Sequence, residues 1–368
     1  MSAPAAHPPK AELRALTGIR GIAAWLVVFY HARALITDAA PEWLIAGLAR
    51  GYLAVDLFFM LSGFVMWYNY GQHFGRAGLS ASGPFLWRRV ARIWPLHAFV
   101  LAAMAVFAAI LALTGRDHDA YPFAQLPLHV LLLQNWGFTA ELAWNHPAWS
   151  ISTELAAYLL FPLLSVCAMW DRRGTPALIV MLIAVLAALH VVFALSGESS
   201  LGAQITRLGL IRCLAEFAVG TMLCALWQRW RQLPAAPGRS KLAFLAALAF
   251  ASLAGLAESA FIPALFAAGL LALALDRGIA VRILSSRPLH WLGEVSYSTY
   301  LAHFFLLVLF KIVFVDVSMQ IGWGRFSLYL ALVLAASAVL FHGLEKPAQR
   351  WINRRMPQGL ARPGPAIG

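Results

Sequence analysis

The sequence predicts an all-α, polytopic membrane bundle of about ten transmembrane helices with both termini cytoplasmic. Three observations predict it. First, 61% of the 368 residues are hydrophobic and only 12% are charged, with a mean hydropathy of +0.73; a soluble chain carries about twice that charge. Second, apolar runs of membrane-spanning length recur along the whole chain. Third, lysines and arginines gather in alternate connecting segments, as the positive-inside bias requires.

The runs fall at about 16–36, 51–70, 91–113, 147–169, 176–195, 207–228, 241–257, 260–275, 294–315 and 325–343. Segment 123–138 is short, holds Pro127 and follows directly on Pro122, and is expected not to cross. With it left out, twenty of the 28 lysines and arginines fall in cytoplasmic segments; counting it as a crossing would move the Asp171–Arg173 turn and the 229–241 loop outside. Residues 1–14 form a polar tail, and the first apolar run is too long for a cleaved signal, so it is a retained helix. The membrane domain is expected over 15–355, and the Pro/Gly/Ala-rich residues 356–368 are expected to be disordered. No internal repeat supports a symmetric transporter fold. The net charge of +12 forms no basic face with interleaved aromatics, so nucleic acid is not an expected partner. Cys167, Cys213 and Cys224 all fall within expected spans and have neither disulfide nor metal spacing.

The first run, LTGIRGIAAWLVVFYHARALI, contains Arg20 and His31. Eleven residues at 100° each bring both side chains to one helix face, roughly 16 Å apart along the axis. Ionisable groups at membrane depth face protein or a water-filled cavity and mark function. The plainer alternative is a snorkelling Arg20 and a packing His31. The topology puts Arg20 in the inner half of the membrane. His31, Asp56 and Glu154 share the outer half, where a carboxylate could fix the tautomer of a histidine base. At the inner end lie Arg88, Arg89 and Arg92, with Glu345 just inside the last span and Ser296, Tyr300 and His303 on the ninth. Clustered arginines there could bind a phosphorylated group bidentately; topology bias or anionic lipid binding is the plainer account. His97, His129 and His190 are background, and no metal ligand set is expected.

Several stretches together resemble the acyltransferase-3 family of integral membrane O-acyltransferases. Arg20 and His31 match its arginine, ten residues, histidine signature. GYLAVDLFFMLSGF, WRRVARIWPLH, AWSISTELAAYLLFP, GEVSYSTYLAHFF and HGLEKP match further elements in the family's order, across about 15–355. The resemblance implies a ten-helix domain that moves an acyl group, most often acetyl, from acyl-CoA to a hydroxyl. The acceptor is a glycan such as lipopolysaccharide, exopolysaccharide or peptidoglycan, and some relatives act on macrolide-type compounds. It implies a bacterial inner membrane, lipid contacts and no metal, and leaves the oligomeric state open. One departure is Leu155, which follows Glu154 where a second acidic residue is common. No periplasmic hydrolase-type domain is appended, which disfavours functions that need one.

The expected mechanism places the acyl-CoA phosphates on Arg88, Arg89 and Arg92, with His303 and Glu345 on the same cofactor side and Arg20 lining the way for the pantetheine arm. His31 serves as general base or transient acyl acceptor, oriented by Asp56 and Glu154, at the far end of one continuous polar seam. A transporter or flippase for an anionic lipid-linked substrate is the rival from another class.

Overall fold

The computed structural model describes residues 10–253, 256–357 and Leu360. Among these residues the chain is helical, with no strand. The long helices are α1 (Lys10–Ala32), α2 (Ala54–Met66), α3 (Ser82–Leu113), α4 (Ala148–Ala168), α5 (Thr175–Leu195), α6 (Ile205–Trp230), α7 (Ala236–Leu253), α8 (Glu258–Leu275), α9 (Ser296–Phe314) and α10 (Trp323–Leu340). They follow the order of the expected spans.

By length and hydropathy, eight stretches among the described residues can cross a membrane, where ten spans were expected. Two features account for the difference. The stretch Glu42–Leu113 holds both α2 and α3, which part at Gly78, where φ is +57°. α7 opens with Pro237, Arg239 and Lys241, which lower its hydropathy, and it is not among the eight. Segment 123–138 does not cross: it forms a 3₁₀ turn (Phe123–Gln125), one short helix (Leu126–Val130) and turns. Helix α1 begins at Lys10, inside the stretch expected as a polar tail. Residues 1–9 and nearly all of the expected disordered tail lie outside the described residues.

The outer surface is apolar, as the hydrocarbon requires: Val106, Val180, Ile183 and Leu195 are exposed. Inside, the helices meet at small residues. A Cβ on Gly63 would sit 2.0 Å from the Phe217 carbonyl oxygen, and one on Gly220 2.0 Å from that of Met60. Helices α2 and α6 therefore touch backbone to backbone in antiparallel register, the close approach that small residues permit in membranes. A Gly220→Ala variant is expected to lose about 1–3 kcal/mol of stability through overpacking, measured as a lower unfolding temperature in detergent.

The same device seats α1. Gly293, at the end of the short helix Arg287–Glu294, packs so tightly on Thr17 that any Cβ would lie 1.9 Å from its carbonyl oxygen. Two π-helical turns complete the frame: Trp67–Gly71 follows α2, and Phe341–Glu345 follows α10. Each inserts an extra residue in its turn and re-aims the side chains beyond it.

Candidate active site

A cavity of about 330 Å³ opens among α1, α2, α3, α4 and α9, within the size range of small-molecule sites. Arg89 and Arg92 line one side, and the π turn after α2 adds Tyr68 and Asn69. Arg20 and Ser296 also line it, together with Ser62, Glu154 and Tyr158, and with Phe58, Ser150 and Tyr300.

Arg20 is tethered by its Nη2, which donates to the Gly293 carbonyl at 2.7 Å, and by its Nε at 3.2 Å. The missing side chain at Gly293 lets α1 come close enough for this bond. Glu154 Oε1 accepts from the hydroxyls of Ser62 at 2.6 Å and Tyr158 at 2.5 Å. Tyr158 stands one turn after Glu154, so the pair follows from i, i+4 spacing. Arg89 lies near the Tyr70 ring and donates weakly to its hydroxyl at 3.3 Å; its Nε is buried with no hydrogen-bond partner among the described residues. Arg92 pairs with Glu345, whose other oxygen accepts from the Ser298 hydroxyl at 2.6 Å.

The sequence expectations need several corrections. Arg88 is exposed and does not line the cavity. At 100° per residue the cavity-facing arc of α3 holds Arg89, Arg92 and Ile93, and Arg88 falls about 40° beyond its edge. Glu345 is buried, pairs with Arg92 and does not line the cavity. Glu154 belongs to the cavity with Arg20, away from His31. Asp56 is likewise not beside His31. Both of its oxygens accept from Arg212 on α6, at 2.6 Å each, while Arg212 Nη1 donates to the Leu201 carbonyl at 2.8 Å. This bidentate pair is buried.

The open seam expected from Arg20 to His31 is closed. The cavity ends at Tyr300, whose hydroxyl is 2.8 Å from that of Ser150 and whose ring meets Phe58 edge-on. One turn further along α9 lies His303, expected on the cofactor side but absent from the cavity wall. It is fully buried, and its Nε2 is 3.1 Å from Nδ1 of His31. His31 also contacts Phe304 edge-on, and the ring of His146 stacks on the other partner of that contact, Phe304, at 4.8 Å. Sequence reasoning did not single out Ser62, Tyr158, or Arg212 as the partner of Asp56.

The comparisons with known proteins meet this geometry over almost the whole chain. The acyltransferase-domain family matches residues 13–342. The chain belongs to this acyltransferase family. Acyltransferase MdmB of Streptomyces mycarofaciens is 29% identical over 397 residues, spanning 98% of this chain and 97% of that protein. A second relative, protein 2 in the picA locus of Rhizobium radiobacter, is 34% identical over 192 residues, which is 49% of this chain and 93% of the relative. No solved structure matches the chain. The match takes in the segments that carry Arg20, His31, Arg89, Arg92, Glu154 and His303, so the cavity and the histidine pair both lie inside the acyltransferase domain.

Proposed function

We propose that this membrane acyltransferase transfers an acyl group, acetyl in the simplest case, from acyl-CoA to a hydroxyl of a cell-envelope or exported glycan, in the inner membrane of a bacterium. The observation that carries the donor half is Arg89: a guanidinium on a cavity wall, with a buried Nε that has no hydrogen-bond partner among the described residues. A buried donor without an acceptor is costly, and a phosphate or amide oxygen of the donor supplies one. Arg92, held by Glu345, adds positive charge beside it, and Arg20 faces the pantetheine arm.

His31 is the base. Its imidazole takes the acceptor's hydroxyl proton as the oxygen attacks the thioester carbonyl. The C–S bond then breaks, and the same proton passes to the departing sulfur, which leaves as the free thiol. Since the cavity ends at the Tyr300–Ser150 bond, transfer needs the Tyr300 side chain to turn aside so that the thioester meets the histidine.

One observation favours a second reading. Glu154 lines the cavity and His31 does not. Glu154 would then be the base, and the acceptor would enter the cavity itself. A Glu154→Gln variant separates the two: a modest change in turnover supports His31, and a loss as deep as that of a His31 variant supports Glu154.

The decisive experiment incubates the purified protein with acetyl-labelled acetyl-CoA and a bacterial polysaccharide extract. Release of free CoA together with label on the polysaccharide is the expected result. Polysaccharide movement across proteoliposomes without CoA release would overturn the reading. An Arg89→Ala variant is expected to raise the KM for acetyl-CoA by about tenfold or more, the loss of one charge-assisted hydrogen bond, with a smaller change in kcat.

A further inference from the structure

We propose that His303 is the positioning partner of His31, holding a hydrogen on its Nδ1 so that Nε2 is the basic nitrogen. The proposal rests on the reading of His31 as the base. It gives His303 a role different from the donor-binding one expected from the sequence.

The hydrogen-bond partners decide the tautomers. Nδ1 of His303 lies 3.1 Å from the carbonyl oxygen of Thr299, one turn back on α9. Nδ1 of His31 lies 3.0 Å from the carbonyl oxygen of Val27, one turn back on α1. A carbonyl oxygen can only accept, so each Nδ1 is a donor. A neutral His303 with its hydrogen on Nδ1 presents a lone pair at Nε2. That lone pair faces Nδ1 of His31 at 3.1 Å, so the single Nδ1 hydrogen of His31 is shared in a three-centre bond between His303 Nε2 and the Val27 carbonyl. The opposite assignment would set two ring lone pairs against two carbonyl oxygens. It is the worse arrangement at both ends.

The consequence falls on the other nitrogen of His31. Among the described residues no hydrogen bond engages its Nε2, and the side chain is only partly buried. His303 is locked from several sides: it is fully buried, the Tyr329 hydroxyl donates to its carbonyl at 3.1 Å, and Asn145 Nδ2 donates to the Leu301 carbonyl at 3.0 Å. A fixed acceptor on a second helix keeps the His31 ring from turning about its own axis, which the Val27 carbonyl alone does not do. His303 thus takes the place that a carboxylate holds in other histidine-based sites, and explains how His31 can serve with Asp56 and Glu154 both engaged elsewhere.

The test uses the full-length protein in nanodiscs, with ring-¹⁵N histidine and with labelled acetyl-CoA and polysaccharide extract as the turnover probe. In the parent, the ¹⁵N shifts of His31, assigned by a His31→Gln variant, are expected to show a hydrogen on Nδ1 and a bare Nε2. His303→Leu removes the acceptor and is expected to lower kcat by about tenfold or more while leaving the KM for acetyl-CoA unchanged. His303→Gln, whose Oε1 can stand where Nε2 stood, is expected to restore most of the turnover. Combining His303→Leu with His31→Gln should cost no more than His31→Gln alone.

A hydrogen on Nε2 of His31 in the parent overturns the proposal, whether or not any variant folds. So does a His303→Leu variant with parental kcat, or one in which KM for acetyl-CoA rises and kcat holds, which is the behaviour of a donor-binding residue. Should His31→Gln itself turn over normally, the base reading fails. The ¹⁵N shifts still report on the His303–His31 geometry in that event.

Discussion

A His31→Gln variant is expected to insert, fold and bind acetyl-CoA like the parent while losing roughly 10²- to 10⁴-fold in kcat, the range that a positioned acid–base group supplies. Glutamine keeps the bulk and can donate towards the Val27 carbonyl and His303, so the helix packing around position 31 is preserved. What it removes, on the proposed mechanism, is the lone pair that accepts the hydroxyl proton. Folding is checked by size-exclusion profile and unfolding temperature, and donor binding by titration with acetyl-CoA. Parental turnover in a folded protein would rule out His31 as the base and leave Glu154 as the candidate.

The second large effect is on stability. Asp56→Ala leaves the Arg212 guanidinium buried without its bidentate partner, and is expected to destabilise the protein by about 3–5 kcal/mol. The measured outcome is a lower unfolding temperature or a loss of monodisperse protein. The pair can be dissected further, because replacing both members with apolar residues of similar volume is often neutral. An Asp56→Leu/Arg212→Met double variant is therefore expected to recover folding and to retain acyl transfer. If it folds and is inactive, Asp56 or Arg212 has a direct part in the chemistry, and the purely structural account of the pair fails.

Much of the architecture could be read from residue order. Apolar runs locate the long helices because hydrocarbon imposes length and composition on each, and positive charge separates crossing from non-crossing segments. The run at 241–257 is where this breaks down: Arg239 and Lys241 fall inside the helix that the structure draws from Ala236, so its boundary could not be taken from apolarity alone. The site was legible as a set of residues and much less so as a set of partners. Topology assigns a residue its depth and leaves open the direction in which it faces around the bundle. It assigns His31, Asp56 and Glu154 one depth; in the structure Asp56 turns to Arg212, and Glu154 turns to Ser62 and Tyr158. Arg88 differs from Arg89 and Arg92 for the same reason, a matter of helical angle. The pairing of His303 with His31 joins side chains 272 positions apart, and no local pattern announces it. Nor does any local pattern announce the π turns that re-aim Tyr68, Asn69 and Glu345.

The glycine contact between α2 and α6 bears on how reactants get in. With carbonyl oxygens seated directly on Gly63 and Gly220, these two helices can neither slide nor part without vacating a contact that no larger residue could fill. They behave as a fixed spine. On the proposed mechanism, any opening towards His31 would then fall to the other walls, by turning of side chains such as Tyr300 or by small displacements of α9, and the enzyme would work as a rigid frame with one movable panel.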